Sequence, residues 1–170
     1  MTLEDLASRA EIAEVAARYC RAFDRCDEAL LASCFHPDAT HEHGAFKGLS
    51  RDFCALGLAA VRQVVLTHHQ LGQVSIELDG ERAWVESYFT SYHRFGAEPP
   101  PGGAPREDRI MGGRYVDRFE RRDGVWRIAH RQGVNEWLRY EPASDRGFFD
   151  RPASERGRRD RGDPVYRRDC

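Results

Sequence analysis

The stretch from Gly112 to Arg131, GGRYVDRFERRDGVWRIAHR, predicts a long β-hairpin. Strand-like segments lie on both sides of Asp123-Gly124, and glycine accepts the positive φ that such a short connection requires. Two more such segments, QVSIEL (Gln73–Leu78) and RAWVESYFTSYHRF (Arg82–Phe95), flank Asp79-Gly80 in the same way. The second half of the chain is therefore predicted to form a largely antiparallel sheet.

The first part of the chain is predicted to be helical. Apolar residues recur every three or four positions from Leu3 to Asp24, which is typical of one face of a long helix. A second, short helix is expected to stop near Pro37, and a third to follow Ser50 as its N-cap. Helices followed by strands indicate an α+β fold. We expect a cone-shaped, curved antiparallel sheet with three N-terminal helices that enclose a pocket.

Composition narrows the class of protein. The chain has 170 residues, a net charge of −2 and no apolar run of the roughly 20 residues that a membrane helix needs. A near-neutral charge argues against a dedicated nucleic-acid binder. The N-terminus has neither the basic start nor the cleavage site of a secretory signal, and the five cysteines include no CxxC pair. We expect a cytoplasmic protein that binds neither membrane nor nucleic acid.

Two segments fall outside this regular pattern. Residues 96–108 are rich in proline and glycine and are expected to form a loop that gates the pocket. Residues 1–138 are assigned to the cone domain and residues 139–170 to an extended C-terminal tail. The tail alternates arginine with acidic residues and has few apolar anchors, so it is either disordered or lies along another surface. We predict that it packs on a neighbouring subunit.

Histidines supply the candidate chemistry. His68 and His69 are adjacent before a predicted strand, so their side chains point to opposite faces and at most one faces a given cavity. His41 and His43 are two apart and share a face. HxH is a metal-ligand spacing, and together with His69 the pair suggests a three-histidine zinc site as one alternative. The other alternative is that His41 and His43 are polar residues of the pocket wall or surface.

Three separated segments carry a resemblance to a known family. RYCRAFDRCD at the end of the first helix, HHQLG before the first long strand and the hairpin quoted above resemble the SnoaL-like branch of the nuclear-transport-factor-two-like superfamily. The pattern is similar to that of scytalone dehydratase, lindane dehydrochlorinase and bile-acid 7-alpha-dehydratase within that superfamily. The resemblance runs from about Leu3 to Trp137.

The resemblance implies a site. An Asp late in the first helix and a His before a long strand form a dyad in those lyases, and these positions correspond to Asp24 and His69. Tyr19 matches a pocket tyrosine of the dehydratases, and Arg131 matches an arginine of the dehydrochlorinase pocket. His43 and His93 are assigned to the substrate-binding wall. Without the resemblance, we would interpret Asp24 as a solvated charge at a helix end and Arg131 as a surface residue.

The function implied is that of a lyase that needs no cofactor and no metal. We expect dehydration, or a related elimination or isomerisation, of a small and mostly apolar cyclic molecule. His69 would remove a proton, Asp24 would orient His69, and Tyr19 would assist the carbonyl or the leaving group. The resemblance also implies a homo-oligomer, with a trimer favoured. The alternative is a non-catalytic module that binds a small molecule or mediates assembly on the same fold.

Overall fold

The computed structural model of the chain describes residues 1–96, 107–144 and 151–167. Its helices are α1 Leu3–Asp24, α2 Glu28–Ala32 and α3 Ser50–Arg62. Its strands are β1 Phe35–His43, β2 Phe46–Leu49, β3 Leu66–Asp79, β4 Arg82–Phe95, β5 Glu107–Arg122 and β6 Val125–Pro142. The predicted gating loop lies almost entirely outside the described residues, so its role stays a prediction.

The six strands form one curved, unclosed sheet in the order β2-β1-β6-β5-β4-β3. Both predicted hairpins are present, with β3 paired to β4 and β5 paired to β6 in antiparallel fashion. Gly80 and Gly124 adopt φ of 57° and 76°, values that glycine accepts without steric cost. Three helices and this sheet confirm the predicted α+β cone.

The sheet is not wholly antiparallel, which corrects one detail of the prediction. β1 pairs with β6 in parallel, so the sheet is mixed. The chain leaves β1 through β2 and α3, runs through the β3–β6 meander, and returns beside β1 in the same direction. Sequence alternation identifies strands but does not say which distant strand each one joins.

Two helix boundaries also differ from the prediction. α2 ends at Ala32, and Pro37 lies within β1, close to an irregularity between Phe35 and Thr40 where a proline is tolerated. Ser50 is the first residue of α3 rather than its N-cap; Leu49 occupies the cap position, without a side-chain hydrogen bond.

The core lies between α1 and the concave face of the sheet. The apolar face of α1 contributes Ile12, Val15, Tyr19 and Phe23, all of which are buried. α1 begins with a capping box in which Thr2 and Asp5 each accept the other's backbone N–H, at 3.1 and 2.7 Å. The fixed start and the buried face of α1 hold its C-terminal end, and therefore Asp24, over the sheet.

The end of the chain lies on the same molecule. β6 continues to Pro142, past the predicted boundary at residue 138, and residues 151–167 contact the segment that follows α1. Packing of the tail on a neighbouring subunit stays a prediction. These contacts show that part of the tail packs against its own chain.

Gly113 in β5 is predicted to be a position where even a methyl group destabilises the fold. A Cβ there would overlap the carbonyl oxygen of Val134 and lie 2.8 Å from the Phe89 ring. We expect Gly113→Ala to lower the free energy of unfolding by about 1–3 kcal/mol, the usual cost of overpacking. Denaturant unfolding measures the change.

The control is Gly72→Ala, in which the new methyl would lie 3.6 Å from Tyr88, an ordinary contact. Its loss in the free energy of unfolding should be smaller. Equal losses would contradict the assignment.

Candidate active site

His69 and Asp24 meet where the end of α1 crosses the beginning of β3. The Nδ1 atom of His69 lies 2.7 Å from one Asp24 carboxylate oxygen, and the backbone N–H of His69 donates to the other at 2.9 Å. Two hydrogen bonds between the same two residues fix both the position and the rotation of the imidazole ring. The contact expected from the sequence between these residues is therefore present.

The neighbouring histidine points away. His68 is exposed, whereas the side chain of His69 is 11% exposed. In β3 these residues stand opposite Tyr92 and Ser91 of β4, and alternation sends the two imidazoles to opposite faces of the sheet. Of the two adjacent histidines, His69 is the one that faces the concave side.

The Asp24 carboxylate is ionised in this setting. Burial by itself raises the pKa of Asp24, but the hydrogen bonds and charge of His69 outweigh it and lower the pKa below its ordinary value. An ionised carboxylate only accepts hydrogen bonds, so Nδ1 of His69 carries the proton of their contact. The Nε2 atom of a neutral His69 then keeps its lone pair.

His93 of β4 lies next to this pair. Its ring centroid is 5.3 Å from that of His69, and the two rings are perpendicular. Burial, followed by the charge of His69, lowers the pKa of His93 to about 4, so His93 is neutral at neutral pH. Its buried Nδ1 has no hydrogen-bond partner among the described residues. The structure thus brings three of the predicted site residues together.

Arg131 forms a second group deeper in the cone. Its guanidinium donates two hydrogen bonds of 2.7 Å to the carboxylate of Asp117, and both side chains are fully buried. The guanidinium carbon of Arg131 lies 4.0 Å from the ring centroid of Tyr19 and 4.1 Å from that of Tyr115. Burial opposes the charge of Arg131, but the Asp117 carboxylate more than compensates and raises the pKa of Arg131. Arg131 is an interior residue rather than a surface one.

Tyr19 belongs to this second group and not to the immediate surroundings of His69. Phe23 lies between the two, with its ring centroid 5.0 Å from that of Tyr19 and 6.3 Å from that of His69. Burial raises the pKa of Tyr19 well above its ordinary value, so the hydroxyl stays protonated and is a hydrogen-bond donor. The three residues predicted as catalytic are therefore not in one mutual contact.

His41 and His43 share a face of β1, as their spacing predicts. Both rings stack on Phe53, at centroid distances of 3.7 and 5.3 Å. His41 is fully buried, and burial lowers its pKa to about 2. Across the described ranges, no three His, Cys, Asp or Glu side chains converge as a metal-binding group. His41, His43 and His69 therefore do not form the zinc site that was one alternative.

Asp117 is the residue of this region that sequence reasoning missed. Counting outward from the Asp123-Gly124 turn places Asp117 opposite His130. A register shift between Arg118 and Phe119 moves it opposite Arg131 instead. A carboxylate in a strand of alternating pattern is the available signal, but spacing counted from the turn would pair it with His130 rather than Arg131.

Removing the anion of the buried pair should be costly. In Asp117→Asn the Arg131 guanidinium stays buried without its counter-charge, and we expect a loss of about 3–5 kcal/mol in the free energy of unfolding. The control is Glu86→Gln, which breaks a half-exposed ion pair with Arg114 and should cost about 1 kcal/mol or less. Thermal and denaturant unfolding measure both. Similar losses in the two variants would be evidence against a structural role for the buried pair.

Comparison with known proteins places this geometry in a family. The SnoaL-like domain matches residues 4–132, while no curated protein matches the chain. Among solved structures, a protein assigned as a scytalone dehydratase from Novosphingobium aromaticivorans superposes with a TM-score of 0.70 at 22% identity, covering 86% of this chain and 94% of that one. Hexachlorocyclohexane dehydrochlorinase LinA-type3 from Novosphingobium barchaimii gives 0.69 at 20% identity, with coverages of 85% and 95%.

Kfla4162 from Kribbella flavida gives a TM-score of 0.70 at 20% identity, and the match covers 79% of this chain and 95% of the Kfla4162 chain. Identities this low show a shared fold. Within the described ranges, no helix has the length and apolar character needed to cross a membrane. Because the domain match spans most of the residues from α1 to β6, the chain belongs to the SnoaL-like domain family.

Proposed function

We propose that the chain is a cofactor-independent lyase that removes a proton from a small, mostly apolar cyclic molecule through His69. The observation that carries the proposal is the 2.7 Å contact between His69 Nδ1 and the buried Asp24 carboxylate. Dehydration, or a related elimination or isomerisation, is the reaction class. Two of the similar structures, one assigned as a dehydratase and one named a dehydrochlorinase, support a lyase.

In this mechanism His69 is the general base. Asp24 accepts a hydrogen bond from the Nδ1–H of His69, which directs the Nε2 lone pair away from α1 and toward the substrate. When Nε2 takes a proton from carbon, the imidazolium is stabilised by the adjacent carboxylate. The electron pair of the broken C–H bond forms the new double bond as the leaving group departs.

The leaving group needs a donor or a positive charge. Tyr19 is protonated and sits beside Arg131, so the hydroxyl and the guanidinium together are suited to stabilise a departing oxygen or halide or a developing enolate. The buried Nη1 of Arg131 has no partner among the described residues, which leaves a donor for that purpose. We assign His43 and His93 to binding of the substrate.

The alternative is a module that binds a small molecule without turnover. One observation favours it: Tyr19, Tyr115, Arg131 and Asp117 fill the deep part of the cone, and each is 3% exposed or less. A packed interior leaves less room for substrate than an open cavity. Homo-oligomerisation, with a trimer favoured, is part of both proposals.

A screen of steroids, polyketide-like aromatic compounds and halogenated cyclic compounds, followed by mass spectrometry, distinguishes the two. A product lacking water or hydrogen halide, or an isomer detected by chromatography, supports the lyase. Binding of a compound without conversion supports the module.

With a substrate in hand, His69→Ala should lower turnover on the order of 10²- to 10⁴-fold, the usual contribution of a general base. Turnover should fall by a similar factor in Asp24→Asn. The double variant should turn over little more slowly than either single variant, because His69 and Asp24 act as a unit. His68→Ala is the matched control and should keep its activity, since that side chain points to the other face. Steady-state kinetics give the values. Loss of activity in His68→Ala, or an active His69→Ala, would refute the assignment.

A further inference from the structure

The turn that follows Asp24 contacts the tail of the same chain. Cys26, in this turn, has a φ of 52°, which costs a residue with a side chain about 1–2 kcal/mol. A conformation of this kind persists when its surroundings hold it in place. Here the backbone N–H groups of Cys26 and Asp27 donate to the carbonyl oxygens of Phe23 and Ala22, at 3.1 and 2.9 Å, and side chains from the far end of the sequence add further contacts.

Polar contacts on both sides of Cys26 join this turn to the tail. Tyr166 donates its hydroxyl to Asp27 at 2.8 Å, and the Arg161 guanidinium reaches the same carboxylate at 3.3 Å. Arg25 donates to the carbonyl oxygen of Arg158 at 2.8 Å and lies 3.6 Å from Asp163. The tail therefore contacts the residues on both sides of Cys26.

Arg159 makes the connection that matters for the candidate site. Its guanidinium donates to the carbonyl oxygens of Val61 and Val64 at the end of α3, and its Nη2 lies 3.4 Å from the Cys26 sulfur. Cys26 is two residues beyond Asp24, and Val64 begins the short connection into β3, which carries His69. One side chain thus bridges the two backbone segments that bring Asp24 and His69 together.

We propose that Arg159 is a positioning residue that holds the end of α1 against the entry to β3 and so sets the Asp24–His69 hydrogen bond. Its effect on turnover rests on the proposed function, whereas its effect on the hydrogen bond does not. In this proposal the end of α1, the entry to β3 and the tail together set the Asp24–His69 hydrogen bond.

The test is nuclear magnetic resonance of the His69 ring in the full chain. A proton shared between Nδ1 and a carboxylate resonates far downfield, and its signal can be assigned by its loss in His69→Ala. In Arg159→Ala we expect this signal to move upfield or to be lost by exchange, while circular dichroism stays that of the folded protein. With a substrate, kcat should fall by up to about 100-fold with KM little changed, because misplacement acts on chemistry more than on binding.

Matched variants separate positioning from general damage. In Arg158→Ala only an exposed side chain bound to Asp160 is removed, and the His69 signal should stay as in the wild type. Arg159→Lys keeps the charge and can still donate to the carbonyls of Val61 and Val64, so it should restore most of the signal. An unchanged signal in folded Arg159→Ala, or an equal change in Arg158→Ala, overturns the proposal.

A milder variant keeps the test decisive if Arg159→Ala does not fold. Arg159→Gln has a single amide nitrogen in place of the guanidinium nitrogens that donate to Val61 and Val64, so it should shift the His69 signal in the same direction. An unchanged signal in folded Arg159→Gln then overturns the proposal. If His69→Ala retains full turnover while Arg159→Ala still loses the signal, the proposed lyase mechanism fails and the positioning role stands.

Discussion

The contact between the last residue of α1 and the first strand of the β3–β6 meander organises the candidate site. Asp24 accepts both the backbone N–H and the ring N–H of His69, so a single carboxylate fixes one strand and one side chain at once. A buried carboxylate with no partner would be strongly destabilising. The requirement to satisfy Asp24 therefore couples the packing of the long helix on the sheet to the orientation of the imidazole.

A second buried charge follows the same rule deeper in the cone. Arg131 is surrounded by aromatic rings and is neutralised by Asp117 from the neighbouring strand. Replacing such a pair by apolar residues is often neutral in stability, whereas removing one partner leaves an uncompensated buried charge and is costly. The concave face thus holds two polar groups, the Asp24–His69 pair and the Arg131–Asp117 pair beside Tyr19.

Much of this fold follows from local sequence signals. Asp79-Gly80 and Asp123-Gly124 identify both hairpins because the turn geometry demands glycine, and the apolar spacing of α1 identifies the long helix. The parallel pairing of β1 with β6 does not follow, because alternation is the same for either direction. Nor does the Asp117–Arg131 pair, since one irregular residue shifts the register.

The candidate site was only partly accessible to such reasoning. On a helical wheel Asp24 lies about 140° from Tyr19, so periodicity does not aim both inward. Asp24 reaches His69 because it ends the helix and the chain turns sharply at Cys26. Family resemblance, rather than periodicity, pointed to that pair. The docking of the tail onto this turn has no local signal, because alternating charges do not specify the surface they will meet.

The protonation pattern of His69 tests the central claim most directly. In ¹⁵N-labelled protein under mildly alkaline conditions, we predict that Nδ1 of His69 carries the proton and that Nε2 shows the chemical shift of an unprotonated, pyridine-like nitrogen. In Asp24→Asn this preference should be lost. A wild-type His69 that carries its proton on Nε2 would leave no lone pair facing the substrate and would contradict the proposal that His69 is the base.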